Sequence, residues 1–364
     1  MNRSLSSEEL VRYQRHLSLE EIGTEGQLKL KKAKVLVVGA GGLGCPVLQY
    51  LTAAGVGNIG IIDFDKVEAS NLQRQILFST NDTGKNKAEI ATKHLEKLNP
   101  FVKFNIYKEK LTAANVLSVF KPYDLIIDGT DNFSTRYLIN DAAVILKKPF
   151  VYGSIFRFEG QVSVFNYKNG PTYRCLFPEP PNPGETPSCS EAGVLGALPG
   201  IIGSYQALEA IKIITGTGQV LSGKLLMINT LHNSFQIIEV KRNPEMISQI
   251  KTIKPFPEEN LCFSNSIEEI TEIEFQELVK SQHVLFIDVR NPGEQPQLKV
   301  AQNINIPLDT FRENIKKIPR NKTLVVYCQT GVRSRKAVEI LTDEFGYENV
   351  KTLKGGVLNC SSVF

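Results

Sequence analysis

Long apolar runs, basic blocks and signal-like segments are all missing from this 364-residue sequence. No stretch of about 18 apolar residues occurs, and the N-terminal MNRSLSSEEL has no apolar centre, so we expect neither a membrane span nor a secretory signal. The net charge is only +4, with Lys and Arg interleaved with Asp and Glu, which argues against a nucleic-acid partner. The resulting expectation is a cytoplasmic protein.

Cysteine and histidine are also scarce, with six and four residues respectively. In a reducing cytosol we expect the cysteines to be thiols rather than disulfides, so each is interpreted from its surroundings. His16, His94 and His232 have no metal-ligand spacing and are interpreted as structural. Cys45, beside Pro46, is interpreted as a packing residue.

The sequence does contain alternating strand and helix patterns, over enough length for two hydrophobic cores. After a helical pattern at residues 4–32, buried strands are predicted in KVLVV and at 58–65, 102–107, 123–131 and 149–155. This alternation predicts an α/β fold with a Rossmann-like, doubly wound sheet. A proline-rich segment at 171–192 is predicted to be a mobile loop over the site.

A second, smaller α/β pattern follows a proline-containing stretch. We predict domains at residues 1–242 and 269–364, joined by a linker at 243–268. The second domain is predicted to contain a helix at 269–280, a strand in HVLFIDVR and a strand, loop and helix over 323–346.

Gly39, Gly41 and Gly44 form a G-x-G-x-x-G motif between a predicted strand and a predicted helix. Backbone amides and the helix N-terminus can face phosphates there, and Asp63, after the next strand, is placed to hold ribose hydroxyls. Alone, this motif fits a nicotinamide dehydrogenase as well as an ATP enzyme, or glycines that serve only packing.

Three charged residues favour ATP. Nucleotidyl transfer must neutralise charge that grows at the α-phosphate and on the departing pyrophosphate, and Arg74 and Lys87 are suited to that role. Asp131, at the end of a predicted strand, could hold Mg²⁺ against the same oxygens. Singly, Arg74 or Lys87 would be a surface charge and Asp131 a helix cap, so it is the combination that carries the prediction.

With these residues identified, the sequence resembles the MoeB/ThiF family, the bacterial relatives of ubiquitin-activating enzymes, from about Leu10 to Pro244. The resemblance rests on RYQRHL, VGAGGLGCPV, YLTAAGVGNIGIIDFDKVEASNLQRQ, GTDN, EGQVSVF and EAGVLGALPGIIGSYQALEAIK. It implies a homodimer in which Arg15 reaches into the partner subunit's site. The ATP contacts that it implies, together with the glycine loop, are Gly42, Asp63, Ser70, Asn71, Leu72, Gln73, Arg74, Lys87, Asp131 and Asn132.

The resemblance also implies a substrate, the C-terminal Gly-Gly tail of a ubiquitin-like sulfur carrier protein. Its carboxylate attacks the α-phosphate of ATP, and a sulfur nucleophile can then displace AMP from the acyl-adenylate. Adenylation itself needs no side-chain nucleophile, because fixed geometry can supply roughly 7 to 11 kcal/mol of the barrier.

The sequence departs from the family at its zinc site. Many relatives hold a structural zinc with two Cys-x-x-Cys pairs, but here the first is TYRC, with Thr172 in place of one cysteine. The second is NPEM at 243–246, so Cys175 alone cannot form the site and we expect no zinc. Cys189 matches a loop cysteine that some relatives use in a carrier-linked intermediate; a nonessential thiol is an equal alternative.

The second domain resembles a rhodanese, through HVLFIDVRNPGE and VVYCQTGVRSRKA. Cys328 ends a predicted strand and begins a loop that leads directly into a helix, so the amides of residues 329–334 can surround its sulfur. We expect the helix N-terminus and Arg333 to stabilise a thiolate. Four residues separate Cys328 from Arg333, a loop suited to the outer sulfur of a persulfide rather than to a phosphate.

The sequence therefore predicts an ATP- and Mg²⁺-dependent adenylyltransferase with a sulfurtransferase domain, loaded by a persulfide protein or thiosulfate. Molybdopterin biosynthesis is the favoured pathway, with thiamine thiazole biosynthesis as the alternative. A nicotinamide oxidoreductase with a regulatory domain is the alternative of a different class, although no dehydrogenase-type catalytic His or Lys pairing is found. A noncatalytic adaptor is disfavoured by the intact Arg74, Lys87 and Asp131 set.

Overall fold

The chain folds into two compact units, Met1–Glu258 and Glu259–Phe364. The computed structural model describes residues 4–180, 193–253, 267–298 and 300–359. Among these residues, no helix is both long enough and apolar enough to cross a bilayer.

The first unit is built on an eight-stranded sheet. Its strands are β1 Lys34–Val38, β2 Asn58–Ile62, β3 Lys103–Tyr107, β4 Leu125–Asp128, β5 Phe150–Phe156, β6 Glu159–Phe165, β7 Lys224–Asn229 and β8 Ser234–Glu239. They are ordered β3-β2-β1-β4-β5-β6-β7-β8. The first five in that order are parallel, and β5 to β8 pair antiparallel.

Helices cover both faces of this sheet, which confirms the doubly wound α/β fold. The α-helices are Ser7–Arg12, Gln14–Leu17, Gly23–Lys32, Gly44–Ala54, Lys87–Leu98, Val116–Phe120, Phe133–Ile145, Tyr173–Leu176, Ala197–Thr215 and Pro244–Ser248. The apolar run KVLVV explains why β1 lies at the centre: Val35 and Val37 face one buried cluster, and Leu36 and Val38 face the other. A strand with two buried faces needs apolar residues throughout.

Several elements differ from the sequence-based expectation. The N-terminal helical pattern, predicted at residues 4–32, forms three short helices. Pro244–Ser248 is a helix inside the segment predicted as a linker; Asn243 caps it, and Pro244 occupies its first position, where a missing N–H costs nothing.

The strand order reverses between β1 and β4, because the chain runs outward from β1 through β2 to β3 and then returns to β4. Loops that leave the carboxyl ends of these two central strands diverge and open a crevice, where doubly wound folds bind their ligands. The glycine loop follows β1, and residues 129–132 follow β4.

The second unit is a five-stranded parallel sheet in the order β11-β10-β12-β13-β9. The strands are β9 Glu268–Ile270, β10 Val284–Asp288, β11 Asn303–Asn305, β12 Thr323–Tyr327 and β13 Val350–Leu353, and the α-helices are Glu272–Val279 and Val332–Glu339. Part of the helix predicted at 269–280 is strand β9, which ends where Thr271 forms a capping box with Glu274. A smaller α/β unit is thus confirmed.

Candidate functional site

The glycine loop joins β1 to the helix Gly44–Ala54. Gly39 has a φ of +89°, and a Cβ on Gly44 would lie 1.9 Å from the carbonyl oxygen of Gly39. The turn and its packing therefore require both glycines. Gly41 differs, because the atom nearest to an added Cβ is Gln75 Nε2 at 3.8 Å. The backbone beside Gly41 leaves room for a phosphate.

Asp63 ties the next strand to this loop. It is 9% exposed, and its carboxylate accepts hydrogen bonds from the amides of Ala40 and Asp65, both at 2.8 Å. Burial raises the pKa of Asp63, while the Ala40 amide and the charge of Lys87 act in the opposite direction. Lone pairs left on the two oxygens can still accept from ribose hydroxyls, which is the role expected of Asp63 from the sequence.

Arg74 and Lys87 border the glycine loop. Lys87 is 6% exposed and its Nζ lies 3.2 Å from Asp65 Oδ2. Arg74 donates from Nη1 to the carbonyl of Ser70 at 3.2 Å, and its Cγ lies 3.5 Å from the position of an added Cβ on Gly42. Two cations therefore flank the space beside the loop, an arrangement that can neutralise polyphosphate.

The rest of the predicted 70–73 segment forms the wall next to Arg74. Ser70 and Asn71 belong to the 3₁₀ turn Ala69–Asn71, and Leu72 packs partly against the core. The backbone oxygen of Gln73 lies 2.1 Å from the position of an added Cβ on Gly196, so this wall contacts the residue that precedes the helix Ala197–Thr215.

Asp131 and Asn132 lie in the turn after β4. Gly129 brings this turn against the glycine loop, since a Cβ there would lie 3.0 Å from the Gly39 carbonyl oxygen. Asn132 caps the next helix by accepting from Thr135 N at 2.9 Å. Asp131 is exposed and makes no hydrogen bond or ion pair with residues that the structure describes. Its carboxylate is therefore free to bind a cation, and a carboxylate at this place suits Mg²⁺.

Sequence reasoning missed the residues that hold this turn in place. Asp128 is fully buried, and its Oδ1 accepts from Thr130 N at 3.0 Å and from Thr130 Oγ1 at 2.6 Å. Gln206 donates to the Asp128 carbonyl, and Arg136 donates to the Thr130 carbonyl. Burial raises the pKa of Asp128, partly offset by the charge of Arg136. An acid at the last residue of a buried strand, Asp128 in IIDGTDN, was the available signal.

Arg15 is not brought to this crevice by its own chain. It is exposed on Gln14–Leu17, and the preceding Tyr13 packs against Gly55. Gly55 ends the 11-residue helix Gly44–Ala54, whose other end is the glycine loop. At 1.5 Å per residue the two ends lie about 16 Å apart.

The three positions Thr172, Cys175 and Asn243 lie together. Cys175 Sγ accepts from the amides of Thr172 and Asn243, each at 3.3 Å, and we call this arrangement the Cys175 clasp. In the described ranges, no group of three His, Cys, Asp or Glu residues is placed to hold a metal ion. The clasp joins the helix Tyr173–Leu176 to the chain that follows β8. Cys189, Cys262 and Cys360 lie outside the described residues.

In the second unit, Cys328 directly follows β12 and is 0% exposed. The amide of Gly331, which has a φ of +90°, donates to its sulfur at 3.2 Å, and the helix Val332–Glu339 begins at the next residue. Gly356 packs against the same loop, since a Cβ there would lie 2.5 Å from the Cys328 carbonyl oxygen. Of the amides at 329–334 that were predicted to surround the sulfur, that of Gly331 donates to it, directly before the helix N-terminus.

Arg333 closes this loop, but its guanidinium is paired with Glu294. Nη1 and Nη2 lie 2.6 Å from Oε1 and Oε2, a bidentate ion pair that lowers the pKa of Glu294 to about 2. Arg290, which is 1% exposed, is paired in the same way with Asp288. The sequence predicted the position of Arg333 and missed both carboxylates, although DVRNPGE contains them.

Comparisons with known proteins also divide the chain into two parts. Residues 13–248 match the model of the ThiF family, and residues 271–362 match that of the Rhodanese-like domain.

Curated relatives cover one or both parts. The chain is 43% identical over 368 residues to the "Probable adenylyltransferase/sulfurtransferase MoeZ" of Mycobacterium tuberculosis, covering 98% of this chain and 93% of the relative. It is 54% identical over 244 residues to the "Sulfur carrier protein adenylyltransferase" of Thermus thermophilus, covering 66% of this chain and 90% of that relative. It is 39% identical over 383 residues to "Adenylyltransferase and sulfurtransferase MOCS3" of Culex quinquefasciatus, covering 97% and 87%.

Solved structures agree on the fold of the first unit. E. coli MccB superposes with a TM-score of 0.59 at 23% identity, over 67% of this chain and 73% of MccB. E. coli MccB with ATP superposes with a TM-score of 0.57 at 23% identity, over 64% of this chain and 72% of MccB. At this identity the likeness shows a shared fold.

Proposed function

The chain belongs to the ThiF family and carries a C-terminal rhodanese-like domain, and on that basis we propose that it activates a ubiquitin-like sulfur carrier protein and transfers sulfur to it. In the first step the carrier's C-terminal glycine carboxylate attacks the α-phosphate of ATP, and pyrophosphate leaves. In the second step the outer sulfur of a persulfide attacks the acyl carbon and AMP leaves, which gives an acyl disulfide. A thiol then attacks the cysteine sulfur of that acyl disulfide, so that a disulfide forms and the carrier leaves as a thiocarboxylate.

The observation that carries the proposal is the exposed carboxylate of Asp131, held beside the glycine loop with Arg74 and Lys87. Mg²⁺ bound at Asp131 supplies Lewis-acid stabilisation of the phosphate oxygens. Lys87 and Arg74 offset the negative charge that builds up as pyrophosphate departs. Asp63 orients the ribose, and Asn132 fixes the direction in which the Asp131 turn leaves β4.

We propose a homodimer in which Arg15 acts on the partner subunit's nucleotide. Support comes from Tyr13, two residues before Arg15, which packs against Gly55 at the end of the helix Gly44–Ala54 that lies about 16 Å from the glycine loop. Arg15 also makes no hydrogen bond or ion pair with the described residues, so its guanidinium is available to another subunit.

The sulfur step is assigned to Cys328, which receives a persulfide sulfur in the loop 328–333 of the second unit. Cys189 is assigned the thiol that resolves the acyl intermediate and so releases the thiocarboxylate. The carrier is proposed to serve molybdopterin biosynthesis. A thiamine thiazole carrier is the alternative, and the two are separated by presenting both purified carriers in competition.

Pyrophosphate exchange into ATP tests the adenylation step. Exchange should require both Mg²⁺ and a Gly-Gly-ended carrier, because the reverse reaction needs the acyl-adenylate. Asp131→Ala should slow exchange on the order of 10²-fold or more. Asp124→Ala provides the matched control, since it removes an exposed carboxylate just before β4, at the end of that strand opposite to Asp131, where it accepts from the amide of Lys34. Full exchange by Asp131→Ala would remove that residue from the mechanism.

Mass spectrometry tests the division of labour between the cysteines. Cys328→Ala should abolish the persulfide adduct of about 32 Da and leave adenylation intact, because adenylation uses no thiol. Cys189→Ala should leave loading intact and slow the carrier's gain of about 16 Da, which marks the replacement of oxygen by sulfur. If Cys328→Ala still converts the carrier at the normal rate, sulfur does not pass through the second domain.

A further inference from the structure

The arginine that closes the Cys328 loop is paired with a carboxylate that the proposed sulfur transfer does not require. Glu294 follows β10 on a separate segment from the Cys328 loop, and both of its oxygens are bonded to Arg333. Oε1 also accepts from the amide of Asn291 at 2.8 Å. The pair is half-buried, with the two side chains 31% and 28% exposed, so water screens it less than a fully exposed pair.

The charge balance around the thiol follows from these contacts. Arg333 is the only cation within the loop 328–333, and Glu294 offsets its charge. Arg290 lies behind Gln329, but Asp288 offsets its charge and its Nη1 is committed to the Pro296 carbonyl and Gln329 Oε1. Neither arginine therefore offers an unpaired positive charge to a ligand at the loop.

Small sulfur donors and protein donors differ in what they need from this site. Thiosulfate is a dianion, and its approach requires cations that replace its hydration. A cysteine persulfide on another protein exposes at most one negative charge, and its affinity comes from protein–protein contacts away from the sulfur. Because Arg333 and Arg290 are both paired, the loop therefore disfavours the dianion much more than the persulfide.

We propose that Glu294 is a specificity-determining residue, an inference that rests on the proposed sulfur transfer. Glu294 neutralises Arg333 and so selects protein persulfide over thiosulfate as the sulfur donor. With a persulfide donor, the Cys328 thiolate attacks the outer sulfur, the S–S bond of the donor breaks, and the donor thiolate leaves with the electron pair. With thiosulfate, the same attack breaks the S–S bond and releases sulfite. No oxidant or reductant is consumed in either case.

Donor preference in Glu294→Gln tests the inference. The variant keeps the shape of the side chain and removes its charge, so kcat/KM for thiosulfate should rise roughly three- to tenfold, mainly through a lower KM. Loading from a cysteine desulfurase supplied with cysteine should change by less than about twofold, since that step does not depend on a free cation. The matched control is Glu344→Gln, which removes the same charge from another exposed arginine pair, with Arg312, beyond the far end of the helix Val332–Glu339.

An unchanged kcat/KM for thiosulfate in Glu294→Gln, or an equal rise in Glu344→Gln, would overturn the inference. Ionic strength supplies a second measurement that the unmodified protein allows. Its KM for thiosulfate should vary little with salt, because no unpaired cation attracts the anion. A steep rise in KM with salt would contradict the neutralisation of Arg333 by Glu294. Failure of the proposed function looks different, because then neither donor places a persulfide on Cys328.

Discussion

Gly44→Ala should destabilise the first domain, because the added methyl group has no space. It would lie 1.9 Å from the Gly39 carbonyl oxygen, whereas real Cβ contacts stay beyond 3.0 Å. The glycine loop would have to move by about 1.1 Å, and overpacking of a close-packed contact costs about 1–3 kcal/mol or more. Alanine's better helix propensity returns up to about 1 kcal/mol at this position.

The net loss is about 2 kcal/mol, which corresponds to a fall of roughly 4–8 °C in the melting temperature of a domain this size. Gly41→Ala is the matched control, since its Cβ would approach nothing closer than 3.8 Å. That variant should melt within about 2 °C of the unmodified protein. It should nevertheless lose pyrophosphate exchange, because its methyl group fills the space left for phosphate.

Differential scanning calorimetry and pyrophosphate exchange measure the two effects separately. An unchanged melting temperature in Gly44→Ala would show that the loop relaxes without cost and would refute the steric argument. Normal exchange in Gly41→Ala would show that the loop does not receive the phosphates.

Four further outcomes are expected. Mixing Arg15→Ala with Asp131→Ala protein should restore part of the exchange activity after subunits exchange, because one of the two hybrid sites is intact; no restoration despite demonstrated exchange contradicts a site shared between subunits. Elemental analysis should find substoichiometric zinc, since Cys175 is the one cysteine at the four expected positions, and one tightly held zinc per chain would reveal missed ligands. Burial raises the pKa of Cys45 to about 12, so iodoacetamide at neutral pH should label Cys45 only in denatured protein, and rapid labelling in the native state would contradict its burial. The ion pair with Arg333 lowers the pKa of Glu294 from 4.5 to about 2. The contribution of this ion pair to the free energy of unfolding is therefore complete above pH 4.5 and is lost as the pH falls towards 2. The difference in melting temperature between the unmodified protein and Glu294→Gln should shrink between pH 4.5 and pH 2.

The sequence was most informative where a local pattern has one structural solution. KVLVV followed by a glycine turn predicted a central parallel strand and the loop after it, and the structure has both. Cys328 was predicted at the end of a strand before a helix and lies there. The G-x-G-x-x-G motif alone left a nicotinamide enzyme open, and the match to the ThiF family favours the ATP interpretation.

Side-chain partners from distant parts of the chain could not be predicted in the same way. Arg333 was expected to face the thiol, but its partner Glu294 is 39 residues away, and no periodic pattern links the two. Gln206 reaches the carbonyl of Asp128 across 78 residues, on a helix whose pattern reported only its apolar face. Helix boundaries near proline were also missed, because Pro244 reads as linker unless the cap at Asn243 is recognised.

The Cys175 clasp changes the chemical hazards to which the end of this domain is exposed. A zinc site made of four thiolates loses its structure when a chelator removes the metal, whereas an arrangement held by hydrogen bonds does not depend on a metal. Its acceptor, however, is a partly exposed thiol, and oxidation adds oxygen atoms to the sulfur that receives the amides of Thr172 and Asn243. We therefore expect the attachment of the chain that follows β8 to the helix Tyr173–Leu176 to resist chelators and to be sensitive to peroxide.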